Sequence, residues 1–291
     1  MTDSFLKYLS FEKRYSSHTV EAYKKDLQQF SGFLFSEFEI EDLISAKHVH
    51  LRAWVVSLME KNLSPRSVNR KIATLKSIYK FLLARDYIDI NPAVKLKPLK
   101  TDKDLPSFIK EEEIAALLDR VEFTDDFSGK RDQLLLELFY STGMRLSELT
   151  TLKDRDISVY DKSLKVLGKR NKERIIPVSN TLILLIESYL KIKEEAGMMN
   201  EFLILTDAGK QAYPMFIQRK VKNYLGAVTT LSKKSPHVLR HTFATHLLNK
   251  GADLNAVKDL LGHTSLAATQ VYTHNSIEKL KAAFDQAHPK A

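Results

Sequence analysis

A proline-rich stretch, residues 91–106, most constrains how this chain can fold. Its sequence, "NPAVKLKPLKTDKDLP", contains three prolines and four lysines and shows no helical spacing of apolar residues. Because the residue before a proline favours extended backbone, the stretch predicts a linker. A chain of 291 residues is long enough for about two domains. We therefore expect one domain over residues 1–90, a linker over 91–106 and a second domain over 107–291.

The first domain is predicted to be helical. From Val20 to Leu34, apolar residues recur every three or four positions, as on one face of an amphipathic helix. A further helix should begin with Ser64 as its N-cap and Pro65 as its first residue. The residues expected to face the core are Val68, Ile72, Leu75, Ile78, Tyr79 and Leu82. The basic residues expected on the opposite face, toward solvent or phosphate, are Arg66, Arg70, Lys71 and Lys80.

The second domain is predicted to be helical with one interruption. Residues 155–178 contain β-branched runs around the turn-like sequences "YDKS" and "GKRNKE", which predicts a small antiparallel sheet. Beyond it we expect helices to the end of the chain, closed by Gly197, Gly251 and Gly262. The predicted fold class is mostly α with a small antiparallel β-sheet.

Composition excludes several classes of protein. The absence of cysteine rules out disulfide frameworks, thiolate zinc sites and cysteine nucleophiles. The longest apolar run, residues 134–140, is far shorter than the roughly 18 residues that a membrane span needs. The N-terminal sequence "MTDSFLKYLSFEKR" has no continuous apolar segment, which argues against secretion. We expect a cytoplasmic protein with no membrane partner.

The charge favours a polyanionic partner. The formal net charge is +9, and residues 1–105 carry five more basic than acidic residues while the remainder carries four more. Both predicted domains are therefore basic, so nucleic acid could bind to each of them. A soluble surface of mixed charge would explain the same numbers.

The segment "SPHVLRHTFATHLLNKG", residues 235–251, places several cationic groups on one predicted helix. His237 and Arg240 fall in its first turn, where unpaired backbone N–H groups and the helix dipole favour an anion. His237 and His241 are spaced like zinc ligands, but the helical zinc motif needs Glu where this chain has Val238, and Arg240 would repel a dication. The helix alone leaves an anion site and structural packing equally open.

Three separated parts of the sequence resemble the signature of the tyrosine site-specific recombinases. "STGMRLSEL" resembles the first-arginine box and supplies Arg145, and "VLGKRNKERIIPV" resembles the β-turn lysine segment and supplies Lys169. "HVLRHTFATHLLNKG" and "LLGHTSLAATQVYTH" supply His237, Arg240, His263 and Tyr272. The resemblance covers nearly the whole chain. In length and in lacking an added arm-binding domain, the chain is most similar to the Xer recombinases.

The resemblance implies an architecture. It implies a helical N-terminal core-binding domain, which is SAM-like, and an α/β catalytic domain of the DNA breaking-rejoining type. The final helix, "SIEKLKAAFDQA", would be an exchange helix that docks into a neighbouring protomer.

The resemblance also implies a transesterification. Tyr272 would attack a DNA phosphodiester, giving a 3′-phosphotyrosyl intermediate and a free 5′-hydroxyl. Lys169 would be the general acid that protonates the leaving 5′-oxygen. Bond energy is conserved in the intermediate, so the reaction would need neither ATP nor a metal, and no cofactor is expected.

The remaining residues of the signature would bind the phosphate. Arg145 and Arg240 would place their planar guanidinium groups on the non-bridging oxygens. His237 would accept the phenolic proton or donate a hydrogen bond to the phosphate, and His263 would be a further donor. Glu148 would orient the site without reacting.

The role that the resemblance implies is resolution of chromosome dimers during cell division. The expected partners are a double-stranded recombination site, a homo- or hetero-tetramer on two DNA sites, a paired recombinase homologue and a septal DNA translocase. An integrase or transposon recombinase of a mobile element would carry the same boxes. A type IB topoisomerase and a non-catalytic DNA-binding regulator are alternatives from other classes.

Overall fold

The computed structural model describes residues 1–101, 108–168 and 173–262. The chain divides into two compact units, Met1–Asp104 and Leu105–Ala291. Helices dominate the described part of both units, and a three-stranded antiparallel sheet lies in the second. The predicted fold class, mostly α with a small antiparallel sheet, is confirmed.

No helix in the described part of the chain combines the length and apolar character that crossing a membrane requires.

The first unit is a helical bundle. Its helices are α1 (Thr2–Lys7), α2 (Ser17–Phe38), α3 (His48–Glu60) and α4 (Pro65–Ala84). The predicted start of α4 is confirmed, because the side chain of Ser64 accepts a hydrogen bond from the backbone N–H of Ser67. The predicted apolar face of α4 is buried along its length, and the rings of Phe30 and Trp54 pack with centroids 4.9 Å apart.

The basic face predicted on α4 is wrong at one position. Lys71 is buried, and its ammonium group donates to Asp26 at 2.8 Å and to Gln29. The same carboxylate accepts two hydrogen bonds from Arg70 and one from Thr74. Position 71 faces α2, so its charge is neutralised by an acid within the bundle. Arg66, Arg70 and Lys80 remain exposed.

The described part of the proline-rich stretch, through Thr101, has no regular secondary structure and packs on the first unit. Ala93 and Leu96 belong to that unit's core. The side-chain amide of Asn69 donates to the Leu99 carbonyl at 2.9 Å and accepts from the Leu99 N–H at 2.7 Å. The linker boundaries, 91–106, stay a prediction.

The second unit is built around one central helix. Its helices are α5 (Glu111–Ala115), α6 (Phe127–Thr142), α7 (Leu146–Thr151), α8 (Asn180–Glu195), α9 (Pro214–Val228), α10 (Pro236–Asn249) and α11 (Leu254–Leu261). Residues 134–142 of α6 are buried on every side, as expected of a helix that is apolar all round. Helix α6 packs against α8 and α10.

The predicted sheet is confirmed between α7 and α8. Its strands are β1 (Ile157–Ser158), β2 (Ser163–Leu167) and β3 (Glu173–Pro177). They pair in sequence order, with Leu164 opposite both Ile157 and Ile176. Alternation along β3 buries Ile176 and also Arg174, so one face of the strand carries a guanidinium group inward.

The expectation that the chain beyond the sheet is helical is wrong for residues 198–213. This segment follows Gly197 and forms isolated bridges, Lys153 with Phe202 and Leu205 with Gln211. Leu203 and Leu205 are buried, so the segment contributes to the core in extended form. The apolar run "FLIL" at 202–205 is short and lies between turn residues, which favours extended backbone over another helix. Gly197, Gly251 and Gly262 have left-handed backbone at helix ends, as predicted.

Candidate active site

Arg145 is positioned by a sharp turn between two helices. Helix α6 ends at Gly143, whose φ of 58° is left-handed, and Arg145 is the N-cap residue of α7. The backbone N–H of Arg145 donates to Oε2 of Glu148 at 2.7 Å, which caps the helix. The sequence "GMRLSEL" therefore fixes both the backbone of Arg145 and the carboxylate beside its side chain.

Glu148 joins two arginines. Its side chain is 1% exposed, and Oε1 accepts from Nη1 of Arg145 at 2.8 Å. Arg174 donates to both carboxylate oxygens, at 2.7 and 2.8 Å. Burial alone would raise the pKa of Glu148, but the hydrogen bonds and charge of Arg174, together with the bonds from Arg145, outweigh it and hold the pKa at about 2. Glu148 is therefore ionised throughout the physiological range.

Helix α10 brings Arg240 to the same place. The helix begins at Pro236, so His237 and Arg240 lie in its first turn, as predicted. Arg240 is buried and donates through Nη1 to the Gly143 carbonyl, whereas His237 is exposed. The turn that orients Arg145 is thus also bound by Arg240.

The C-terminal end of α11 holds the three arginines. Three successive carbonyl oxygens each accept one guanidinium hydrogen bond: Leu260 from Arg174 at 2.9 Å, Leu261 from Arg240 at 2.7 Å and Gly262 from Arg145 at 2.9 Å. The last carbonyls of a helix lack partners within the helix and carry the negative end of its dipole. A helix C-terminus therefore fixes three cations that come from distant parts of the sequence.

Backbone conformation and packing favour glycine at the end of α11. Gly262 has a φ of 62°, and a Cβ atom there would lie 3.2 Å from Nη1 of Arg174. A side chain at this position would strain the backbone and crowd the guanidinium group. A side chain at position 262 would therefore disturb the carbonyl that binds Arg145.

The cluster carries more positive than negative charge. Among the residues that the structure describes, it contains three arginines and one carboxylate, Glu148. Burial first, and then the nearby positive charge of Arg145, lower the pKa of Arg240 to about 10. This direction shows that the charged form of Arg240 is stabilised less than in water. A bound anion would supply the missing negative charge.

The Arg145 side chain can reach such an anion. It is 30% exposed, and its contacts with Glu148 and Gly262 use two of the five N–H donors of a guanidinium group. The planar fork of donors matches the oxygens of a phosphate. An anchored guanidinium group with solvent access, beside a second one and an exposed histidine, is suited to binding a phosphate and stabilising added charge on it.

Another histidine of α10, His246, is placed differently. His246 is buried, its Nδ1 lies 3.1 Å from the Tyr140 hydroxyl, and burial lowers its pKa. Among residues 1–101, 108–168 and 173–262, no three His, Asp or Glu side chains are grouped as a metal ion would require. The neutral, hydrogen-bonded His246 acts in packing.

Of the predicted site residues, Arg145 and Arg240 donate hydrogen bonds to adjacent carbonyls. His237 lies one helical turn before Arg240. Lys169, His263 and Tyr272 fall outside the described residues, as does the predicted exchange helix. Sequence reasoning did not assign Arg174 to the site. A signal for it was present, because strand alternation places it on the inward face with Ile176.

Replacing Gly143 with Ala should destabilise this turn by about 2–4 kcal/mol. The new Cβ would lie 2.4 Å from Cδ1 of Phe243 and 2.8 Å from Cδ2 of Leu261, at a left-handed φ. Urea unfolding measures the loss. The matched control is Gly226→Ala in α9, where a Cβ meets nothing within 4 Å and which should be neutral or stabilising. Equal stability of the two variants would contradict this account.

Comparison with families of known proteins gives two matches. Residues 107–279 match the model of the phage integrase family. Residues 2–86 match the model of the phage integrase N-terminal SAM-like domain. The two matches together span most of both units.

Individual proteins are similar over nearly the full length. The tyrosine recombinase XerC of Oceanobacillus iheyensis is 40% identical over 294 residues, covering 99% of this chain and 96% of the relative. The tyrosine recombinase XerC of Chlorobaculum parvum is 36% identical over 317 residues, covering 99% and 94%.

Solved structures share the fold. The XerH recombinase in a post-cleavage complex with its palindromic difH substrate superimposes with a TM-score of 0.73 at 22% identity, covering 97% of this chain and 84% of that one. A lambda integrase dimer bound to a core site gives a TM-score of 0.68 at 20% identity, covering 93% and 98%. The helical first unit and the helical second unit with its small sheet are therefore a shared architecture.

Proposed function

Because the chain belongs to the phage integrase family, we propose that its arginine cluster is the phosphate-binding half of a tyrosine recombinase active site. The resemblance seen in the sequence motifs is confirmed at the level of the family. The chain is a site-specific DNA recombinase, an enzyme that cuts and rejoins DNA strands.

One observation carries the assignment of the site. Arg145 and Arg240 donate to the carbonyls of Gly262 and Leu261, so two guanidinium groups are held by adjacent residues. Burial first, and then the positive charge of Arg145, lower the pKa of Arg240, so the two like charges repel. A phosphodiester, whose negative charge increases in the transition state, would reverse that repulsion.

The proposed reaction is a balanced transesterification. The phenolic oxygen of Tyr272 forms a bond to phosphorus as the bond to the 5′-oxygen breaks, which leaves a 3′-phosphotyrosyl link and a 5′-hydroxyl. His237 takes the phenolic proton, and Lys169 gives a proton to the leaving oxygen.

Fixed charge stabilises the added negative charge at phosphorus. Arg145 and Arg240 supply it from the cluster, and His263 donates a further hydrogen bond. Reversal of the same steps with a new 5′-hydroxyl rejoins the strand. The proposed reaction uses no metal ion and consumes no nucleotide.

The chemistry also indicates the assembly. Exchange between two duplexes requires four strand cuts, and the signature supplies one nucleophile, Tyr272, for each protomer. We therefore propose a tetramer on two DNA sites, in which the exchange helix links neighbouring protomers. The first unit would also contact DNA, through basic residues such as Arg66 and Lys80, which are exposed on α4.

The biological role follows the Xer-type relatives. The enzyme resolves chromosome dimers by site-specific recombination. A paired recombinase homologue and a septal DNA translocase are proposed partners, and we place the protein in the cytoplasm with the chromosome.

Trapping the covalent intermediate tests the proposed function. Duplexes bound from a random-sequence pool define the DNA site, and versions nicked at successive positions are incubated with the full chain in EDTA. A nick beside the cleavage point releases a short 5′-hydroxyl fragment, so the reverse step is lost. We expect a denaturation-resistant protein–DNA adduct on denaturing electrophoresis.

Two outcomes would contradict the proposal. Specific binding without an adduct at any nick would indicate a DNA-binding regulator. An adduct that forms only with added divalent metal would exclude the metal-independent reaction. A topoisomerase would form the adduct but would relax supercoils on a plasmid that carries a single site, without joining two sites.

A further inference from the structure

We propose that Arg174 is a positioning residue that holds Arg145 in place for the reaction. The inference rests on the proposed function, because it assigns the orientation of a phosphate-binding arginine. Arg174 would touch no substrate and would act only through Glu148 and the end of α11.

Arg174 makes a hydrogen bond through each of its three guanidinium nitrogens. Its side chain is 4% exposed, and Nη1 and Nη2 bind the two oxygens of Glu148 at 2.7 and 2.8 Å. Its Nε donates to the Leu260 carbonyl at 2.9 Å. All three nitrogens are thereby engaged with groups that also lie beside Arg145.

One group that Arg174 binds, Glu148, is bonded directly to Arg145, and the other, the Leu260 carbonyl, lies on the helix end that also binds Arg145. Glu148 accepts the Arg145 backbone N–H at 2.7 Å and its Nη1 at 2.8 Å. The Gly262 carbonyl, two residues beyond Leu260, accepts Nη2 of Arg145 at 2.9 Å. Arg174 therefore binds one anchor of the Arg145 guanidinium group directly, Glu148, and binds the end of α11 that carries the other.

Removal of Arg174 should displace Arg145 in a defined direction. The Glu148 carboxylate would lose two of its four hydrogen bonds and would have Arg145 as its remaining partner. Arg145 would then be drawn toward Glu148 and away from a bound phosphate. A displacement of about 1 Å in a catalytic group can reduce a rate about 100-fold.

A neutral substrate distinguishes positioning from ordinary structural support. A methyl group in place of one non-bridging oxygen removes the charge of the scissile phosphate, so the cut needs less arginine charge. Loss of Arg145 should therefore slow cleavage of this methylphosphonate far less than cleavage of the normal phosphodiester. A residue that acts through Arg145 should show the same pattern.

The experiment compares cleavage rates on the two nicked substrates for wild type, Arg145→Ala and Arg174→Ala. We expect Arg174→Ala to slow phosphodiester cleavage about 100-fold and methylphosphonate cleavage about 10-fold or less. Arg145→Ala should likewise slow phosphodiester cleavage more than methylphosphonate cleavage. Arg174→Lys, which retains one charge but not the three-point contact, should lie between wild type and Arg174→Ala.

The matched control is Arg131→Ala. Arg131 is also a fully buried arginine of the second unit bound to carboxylates, but its partners are Asp132 and Asp207. Its loss should change the cleavage rates of both substrates by the same factor. If Arg174→Ala also slows both substrates equally, Arg174 is only structural and the inference fails.

Folding and function are separated in the same experiment. Should Arg174→Ala not fold by circular dichroism, Arg174→Lys gives the same test, since an equal loss on both substrates overturns the inference. A wild-type chain that forms no adduct would instead overturn the proposed function. If the methylphosphonate reduces the loss of rate for Arg145→Ala but for neither Arg174 variant, the inference fails and the proposed function stands.

Discussion

Replacing Tyr272 with Phe is expected to abolish the covalent protein–DNA adduct while leaving DNA binding intact. The substitution removes the single oxygen that forms the bond to phosphorus and leaves the aromatic ring. Loss of a covalent nucleophile reduces turnover by on the order of 10⁴-fold or more. The adduct should therefore fall below detection on denaturing electrophoresis, and a gel-shift assay should show unchanged affinity.

The chain offers a matched control for this substitution. It contains 11 tyrosines, and Tyr213 is a half-exposed one in the same unit whose hydroxyl accepts a hydrogen bond from Arg219. Tyr213→Phe should form the adduct at the wild-type rate. An adduct that persisted in Tyr272→Phe would place the nucleophile elsewhere, even though the family assignment would stand.

Periodicity in the sequence predicted the elements of the fold because each one buries a face of its own. The stripe along α4 and its Ser64 cap follow from residues three or four apart, and the sheet follows from β-branched runs between turns. These are local signals. Arg145 and Arg240 were proposed from motif resemblance, and their common anchor on α11 was not visible in the sequence.

Long-range ion pairs account for what the sequence did not predict. Lys71 was placed on a solvated face because its partner, Asp26, lies on another helix 45 residues away. Arg174 was not assigned to the site, because its partner Glu148 lies 26 residues earlier. Helical spacing and strand alternation give the direction of a side chain, but they do not give the charge that meets it.

Replacing Glu148 with Gln should cost about 3–5 kcal/mol of stability at neutral pH, because it leaves Arg174 buried without its carboxylate. Unfolding in urea followed by circular dichroism measures the loss. The single tryptophan, Trp54, lies in the first unit, so its fluorescence separates that unit's transition from the one that contains Glu148. Glu201→Gln, which removes an exposed carboxylate bound to Lys153, should be nearly neutral.

The cost of Glu148→Gln should diminish in acid. The folded pKa of Glu148 is about 2, below its ordinary value of 4.5, so its ionised form stabilises the folded state above pH 4.5. That contribution is lost as the pH falls from 4.5 through 2. At a pH of about 3, the difference between wild type and Glu148→Gln should therefore be smaller by about 2 kcal/mol than at neutral pH. A difference that stayed constant with pH would show that the carboxylate charge does not hold the arginines, and that Glu148 contributes only its shape and hydrogen bonds.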